Sequence, residues 1–372
     1  MEAVVSTSGL EGVVTAHTRL SSVDGEKGEL ILAGYPAEEI APRATFEEMT
    51  WLLWNDVLPA AAELDGFRAA LSSRRELGEI TVEVLRRAAA QRSPAMDALR
   101  MGAATLPSLD DGEEALELVA KLPVMVATYW RFRNGLQPLP SRAALGQAAN
   151  FLFLVTGHEA SEDGRRALDT YLNTVSDHGM NASTFTARVI VSTQSDLVSA
   201  VTGAIGALKG PLHGGAPGPV LEMLQQLHAS GDVDTYVRDK VGRNERIMGF
   251  GHRIYKVRDP RAEILGMATR ALYAGDQNAF YEFAMKVERR TVELLAELKP
   301  GRRLQTNVEF ATALLLHGIG IDAELFSAIF AMGRVSGWLA HGMEQRRNNR
   351  LIRPQSVYVG PNDRRWMDVE RR

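Results

Sequence analysis

Three of the eight histidines stand where an imidazole could meet a ligand. His213 sits in Gly210-Pro-Leu-His-Gly-Gly215 and His252 in Gly249-Phe-Gly-His-Arg253, loops whose missing side chains leave a ring accessible and let a ligand approach the backbone. His178 lies in Ser176-Asp-His-Gly-Met-Asn-Ala-Ser183, a polar break between apolar helices with Asn181 and Ser183 as candidate caps. From these residues alone a turn role and a ligand role both stay open. Neither loop has the His-x-x-x-His spacing of a helical zinc site. Gly249-x-Gly251 follows no strand and lacks a third glycine, so it is not a dinucleotide turn, and hydrolase-elbow and phosphate-loop motifs are absent. His17, His158, His228, His317 and His341 read as ordinary surface or core histidines. Arg261, Arg334 and Arg353 fall in three separate segments; brought together, they would hold a di- or tricarboxylate, and otherwise they are solvated surface groups.

Only a fold can position such residues, and the sequence writes a helical one. Amphipathic runs recur from Thr45, which opens a capping box with Glu48, through 64–71, 81–91, 93–105, 113–133, 141–156 and 162–173. They continue through 220–229, 233–241, 260–274, 278–298, 310–315 and 325–345, with Pro59 expected to close the first helix. A small hairpin is expected within Gly9–Tyr35. Ser199, Ala200, Gly203, Ala204 and Ala207 leave one helix face without bulk, suited to close packing inside a domain or between subunits. At 372 residues the chain exceeds one core, so a large and a smaller domain with a cleft are expected, and the Gly-rich segment 210–218 is a hinge candidate. With no cysteine, disulfides, thiolate metal sites and thiol nucleophiles are excluded. A net charge of -4 gives no bulk reason to bind nucleic acid or an anionic membrane. The first residues, 1–14, lack a secretory pattern, and the most apolar stretch, 197–212, is interrupted by polar residues, so neither export nor a membrane span is expected.

Four longer stretches, in order, resemble citrate synthases: Asp177-His-Gly-Met-Asn-Ala-Ser-Thr-Phe-Thr-Ala-Arg188, Gly206-Ala-Leu-Lys-Gly-Pro-Leu-His-Gly-Gly215, Met248-Gly-Phe-Gly-His-Arg-Ile-Tyr-Lys256 with Asp259-Pro-Arg261, and Asn349-Arg-Leu-Ile-Arg-Pro354. The resemblance extends to Gly9–Gly34 and implies an all-α, two-domain cytoplasmic enzyme of the short type. Its large helical domain would take residues 1–214 and 321–372, and its small closing domain 215–320. It implies a homodimer, with the small-residue face at the interface, that joins acetyl-CoA to oxaloacetate without metal or cofactor; acetyl-CoA is a substrate. By the same resemblance His213 would stabilise the enol and His252 polarise the ketone. His178, Arg261 and Arg334 would hold oxaloacetate or citrate, and Arg353 would reach the neighbouring subunit's site. Ile247, Met248, Gly249, Gly251 and Lys256 would bind coenzyme A.

One position departs from the family. Where citrate synthases carry an Asn-Val-Asp base, this chain has Asn307-Val308-Glu309. Asp and Glu differ by only about 0.4 pKa units, so the extra methylene matters through position, and misplacing a catalytic group by about 1 Å can cost roughly a hundredfold. The expectation is a slow synthase in which Glu309→Asp is faster, or an enzyme shaped for another acyl-CoA, with propionyl-CoA giving 2-methylcitrate. A carboxylate-binding protein with impaired catalysis is the alternative from a different class.

Overall fold

The structure is a computed structural model that describes residues 8–10, 12–213, 217–251, 255, 257–274, 278–302 and 304–371. The hairpin forms as an antiparallel sheet of β1 (Ser21–Asp24), β2 (Glu29–Leu32) and β3 (Tyr35–Pro36), with Ser21 opposite Leu32 and Ile31 opposite Pro36. Leu30 and Leu32 are wholly buried. Gly28 turns the hairpin at φ 73°, and a Cβ there would stand 2.7 Å from Val257 Cγ2 and 3.2 Å from Arg258 O, so the turn lies directly on that segment.

Helices make up the rest. In the first half they are α1 (Ala37–Ile40), α2 (Phe46–Asn55), α3 (Ala61–Ser72), α4 (Glu79–Ala90), α5 (Ala95–Ala103), α6 (Asp111–Arg133), α7 (Gln147–Thr156) and α8 (Glu162–Thr174). Then come α9 (Ala182–Ser192), α10 (Leu197–Leu208), α11 (Pro217–Ser230), α12 (Val233–Gly242), α13 (Pro260–Leu272), α14 (Ala279–Leu298), α15 (Val308–Gly318) and α16 (Phe326–Arg347). The Thr45–Glu48 capping box is present in both directions, a feature worth about 1 kcal/mol. The end of α2 corrects the sequence reading: Asp56, at φ 68°, stops the helix before Pro59 is reached. A short polar side chain tolerates that left-handed conformation, so the stop signal was the aspartate.

α6 runs through Pro123, which has no N–H for the carbonyl of Val119. Gln147 at the start of α7 supplies the missing donor, its Nε2 lying 2.8 Å from Val119 O. The same glutamine accepts from Arg75 Nε at 2.6 Å and donates its backbone N–H to Glu47 at 2.7 Å, which locks α2, α6 and α7 together.

α16 is the central element, packing against α2, α5, α6, α8, α9, α10 and α11. It is buried nearly all round rather than on one stripe, as a helix enclosed by others must be. The small-residue face of α10 splits: Ala200 and Ala204 are buried, while Ser199 is exposed. Gly203 lies tight against α9, where a Cβ would stand 2.4 Å from Ile190 Cδ1. Among the described residues no helix is long and apolar enough to cross a membrane.

Candidate active site

Where α8 ends, its backbone runs against α16, and two glycines one turn apart permit it. A Cβ on Gly333 would meet Val175 Cγ2 at 2.6 Å and Leu172 O at 2.9 Å; on Gly337 it would stand 2.2 Å from Ser176 O. Between these glycines Arg334 is buried, with its guanidinium carbon 4.8 Å from the centre of the Phe330 ring. Its Nε donates to Val175 O at 2.5 Å, and no hydrogen bond among the described residues engages its terminal nitrogens. Burial pushes its pKa down to about 10; Asp177 opposes the shift and Arg261 adds to it. The site therefore holds a buried positive charge with unused donors, which suits an anion.

Asp177 follows directly and is fully buried. Burial alone would raise its pKa, but His341, Arg334 and the Ser21 hydroxyl outweigh it and hold the carboxyl below the ordinary carboxylate range. His341 Nε2 lies 3.1 Å from Asp177 Oδ1, and His341 Nδ1 accepts from Arg188 Nε at 3.0 Å, so the ring proton belongs on Nε2. Arg188 continues to Gln345 at 3.1 Å and to Glu344. Ser21 Oγ donates to Asp177 and accepts from Gly179 N at 2.8 Å, so the hairpin holds both sides of His178. Because His341 and Asp177 are completely buried, His341→Leu removes one of the donors that hold the carboxylate and is expected to cost about 1.5–3 kcal/mol, the range for a hydrogen bond to a charged group. Urea unfolding measures this, and a loss below about 1 kcal/mol would show that the pair does not organise the segment.

His178 is buried, with Nε2 2.9 Å from the Tyr255 hydroxyl and the two rings edge to face. Asn181 caps α9 by accepting from Thr184 N, and Ser183 has another task. The Ser183 backbone N–H points at His213 Nε2 at 3.2 Å, and its hydroxyl, 2.8 Å from both that nitrogen and Asn181 Oδ1, shares its one proton between these two acceptors and accepts from Trp338 Nε1. A ring nitrogen that accepts a backbone N–H carries no proton, so His213 presents its proton on Nδ1. Burial and the Arg334 charge push its pKa down to about 4, and the ring stays neutral through the physiological range.

Arg261 begins α13 beside its N-cap, Asp259. Its Nε and Nη2 grip the two carboxylate oxygens at 3.1 and 2.8 Å, both side chains nearly without exposure. Glu309 lies in the first turn of α15, where Asn307 caps the helix by accepting from Glu309 N. Burial raises the Glu309 pKa against the pull of Arg261, and its Oε2 is buried with no hydrogen-bond partner among the described residues.

The segment at 247–251 is clipped to the same cap. Gly251 N donates to Gln305 O at 2.8 Å, Asn307 N to Gly249 O at 3.0 Å, and Asn307 Nδ2 to Gly251 O at 3.0 Å. Gly249, at φ 87°, packs on Phe310, where a Cβ would come within 3.0 Å of the ring. Ile247 is buried and Met248 half-buried. The residue before His252 is thus tied to the residue that caps the Glu309 helix. His252 and Lys256 themselves lie outside the described residues.

Of the remaining residues singled out from the sequence, His178, His213, Arg261, Arg334 and Glu309 fall in one neighbourhood: Arg334 acts on His213, Arg261 acts on Arg334 and Glu309, and His178 bonds Tyr255, whose ring centre lies 5.9 Å from the Arg261 guanidinium carbon. Arg353 is exposed in the tail, and among the described residues no ion pair or hydrogen bond joins it to that cluster. Sequence reasoning missed Asp177, Tyr255 and Tyr171, and set His341 aside as ordinary. Gly333 and Gly337, at a spacing that puts both on one face, were the available signal that a backbone approaches there.

A helical fold around a buried cluster of guanidinium, imidazole and carboxyl groups defines an enzyme-like anion site. The family profile "Citrate synthase, C-terminal domain" matches residues 9–355. The citrate synthase of Haloferax volcanii is 41% identical over 98% of both chains, and a 2-methylcitrate synthase of Shewanella oneidensis is 36% identical over 98% of both. The crystal structure of citrate synthase from Pyrobaculum aerophilum superposes with a TM-score of 0.89 at 36% identity, covering 98% of this chain and 95% of that one. The ternary complex of carboxymethyl coenzyme A and oxaloacetate with citrate synthase from Thermoplasma acidophilum gives 0.87 at 30% identity, over 98% of both. The chain belongs to the citrate synthase family, acyltransferases that form a carbon–carbon bond.

Proposed function

We propose that the chain is a cytoplasmic citrate synthase that condenses acetyl-CoA with oxaloacetate, with Glu309 as the base. The observation that carries this reading is Glu309, whose buried Oε2 has no partner among the described residues, beside a neutral His213 and an Arg334 whose terminal nitrogens make no hydrogen bond among them. Glu309 takes a proton from the thioester methyl while the His213 Nδ1–H donates to the thioester oxygen, because so weak a carbon acid ionises only if the developing oxyanion is stabilised. The enol carbon attacks the oxaloacetate ketone, polarised by His252, and the ketone oxygen takes up a proton as the bond forms. Water then cleaves the citryl thioester, releasing coenzyme A and citrate.

His178, Arg261 and Arg334 hold the carboxylates. In a homodimer the exposed Arg353 serves the neighbouring subunit's site. Ile247, Met248, Gly249, Gly251 and Lys256 receive coenzyme A, and residues 215–320 close over the substrates to exclude water. The Thermoplasma relative crystallised with oxaloacetate and a coenzyme A analogue supports this assignment of ligands. A second reading, condensation of propionyl-CoA to 2-methylcitrate, is favoured by the Shewanella relative.

The test is thiol release from each acyl-CoA in the presence of oxaloacetate. The expected kcat/KM favours acetyl-CoA by about 10- to 200-fold, the range one methylene commands. A reversed ratio would establish the second reading. Thermal stabilisation by oxaloacetate without thiol release from either donor would reduce the protein to a carboxylate binder.

A further inference from the structure

Glu309 Oε2 is not the only buried orphan in the cluster. The Tyr171 hydroxyl, on a residue with no exposure, also lacks any hydrogen-bond partner among the described residues. A buried polar atom without a partner costs about 1–3 kcal/mol, so two in one small volume call for an explanation. Tyr171 lies on α8, which packs against α13, α15 and α16, the helices that carry Arg261, Glu309 and Arg334. It stands one turn before Val175, whose carbonyl receives Arg334 Nε, and so shares the face that meets the site. Burial pushes the phenol pKa up, Glu309 adds to the shift, and Arg334 and Arg261 oppose it. It therefore stays protonated and is a buried donor without an acceptor among the described residues, on a helix packed against the one that carries Glu309, whose Oε2 is a buried acceptor without a donor among them.

We propose that Tyr171 is the positioning residue for the base: in the substrate-loaded enzyme its O–H donates to Glu309 Oε2, leaving Oε1 free to take the proton from the thioester. This rests on the reading of Glu309 as the base. It also gives the extra methylene a purpose. A glutamate has one more rotatable bond than the aspartate usual in the family, and a tether at the far oxygen removes the freedom that bond adds. The phenol keeps its own proton throughout, so no further proton acceptor is required. Among the described residues, the charged and titratable groups that act on Glu309 are Arg261 and Asp259 at the start of α13 and Tyr171 of α8, with Arg334 of α16 acting on the tyrosine. His317, on α15 itself, is more than two turns away.

Tyr171→Phe removes one oxygen and keeps the ring. The expected result is a fall in kcat of about 10- to 100-fold, the range for a hydrogen bond to a charged group, with KM for oxaloacetate within twofold of wild type. A lost donor destabilises the carboxylate, so the acid limb of the kcat profile moves to higher pH. Glu309→Asp is then slower than wild type, the reverse of what sequence alone suggested, and Tyr171→Phe has little further effect in that background because the shorter carboxyl is no longer held. An unchanged kcat and acid limb in Tyr171→Phe, or a rise in KM for oxaloacetate with kcat intact, would overturn the proposal. Failure of the underlying reading shows separately, as thiol release that survives Glu309→Gln.

Discussion

Glu309→Gln is expected to lower kcat for thiol release by about 10²- to 10⁴-fold, the contribution general base catalysis makes, while oxaloacetate still raises the melting temperature. The substitution keeps length and shape and removes only the ability to accept a proton. Glu309 suits the role because burial raises its pKa towards the working range while Arg261 limits the rise. The same shift makes a stability prediction. A carboxyl whose folded pKa is raised contributes stability that is fully present below its unfolded value of 4.5 and is lost as pH rises through the folded value. The glutamine cannot ionise and escapes that loss, so the melting temperature of the variant relative to wild type increases as pH rises from 4.5. Turnover within tenfold of wild type would remove Glu309 from the mechanism, and a stability difference flat with pH would show that its carboxyl does not titrate in the cavity.

The helices were legible because their signals are local. Thr45 with Glu48, Asn181 before α9, and Asp259-Pro260 at the start of α13 each announce a helix start within a few residues, and the structure places a capped N-terminus at each. The stop after Asn55 is easily assigned to Pro59, a conspicuous breaker, whereas a single aspartate is a weaker stop signal that only its positive φ makes plain. His213 and Arg261 could be singled out because they lie in long motifs, and Glu309 because it departs from a short one, but their meeting with Arg334 depends on packing across distant segments. His341 shows the limit: its partner, Asp177, is 164 residues away, and nothing in its helical context separates it from an ordinary core histidine. Tyr171 was hidden for a similar reason, since an amphipathic helix uses tyrosine as apolar bulk and only burial of its hydroxyl without a partner marks it out.

Arg334→Met is expected to weaken oxaloacetate binding at least a hundredfold, since each charge-assisted hydrogen bond is worth about 1.5–3 kcal/mol and the free terminal nitrogens offer more than one. At a ligand concentration a hundred times the wild-type Kd, oxaloacetate stabilises the fold by about 2.7 kcal/mol, and a hundredfold loss of affinity reduces that to about 0.4 kcal/mol. The unliganded variant should behave differently. With its folded pKa depressed to about 10, protonation of Arg334 is disfavoured in the folded chain, and its charge costs stability at every pH below that value. Replacing a buried charge by an apolar side chain of similar size is often neutral or stabilising, and here the gain is offset by the Val175 carbonyl left without its donor. Thermal unfolding with and without oxaloacetate separates the two effects: the apo transition stays within a few degrees of wild type, and the ligand-induced shift disappears. A variant that retains the full shift would show that the dicarboxylate is held elsewhere, and one whose apo form collapses would show that Arg334 stabilises the junction of α8 and α16 rather than the substrate.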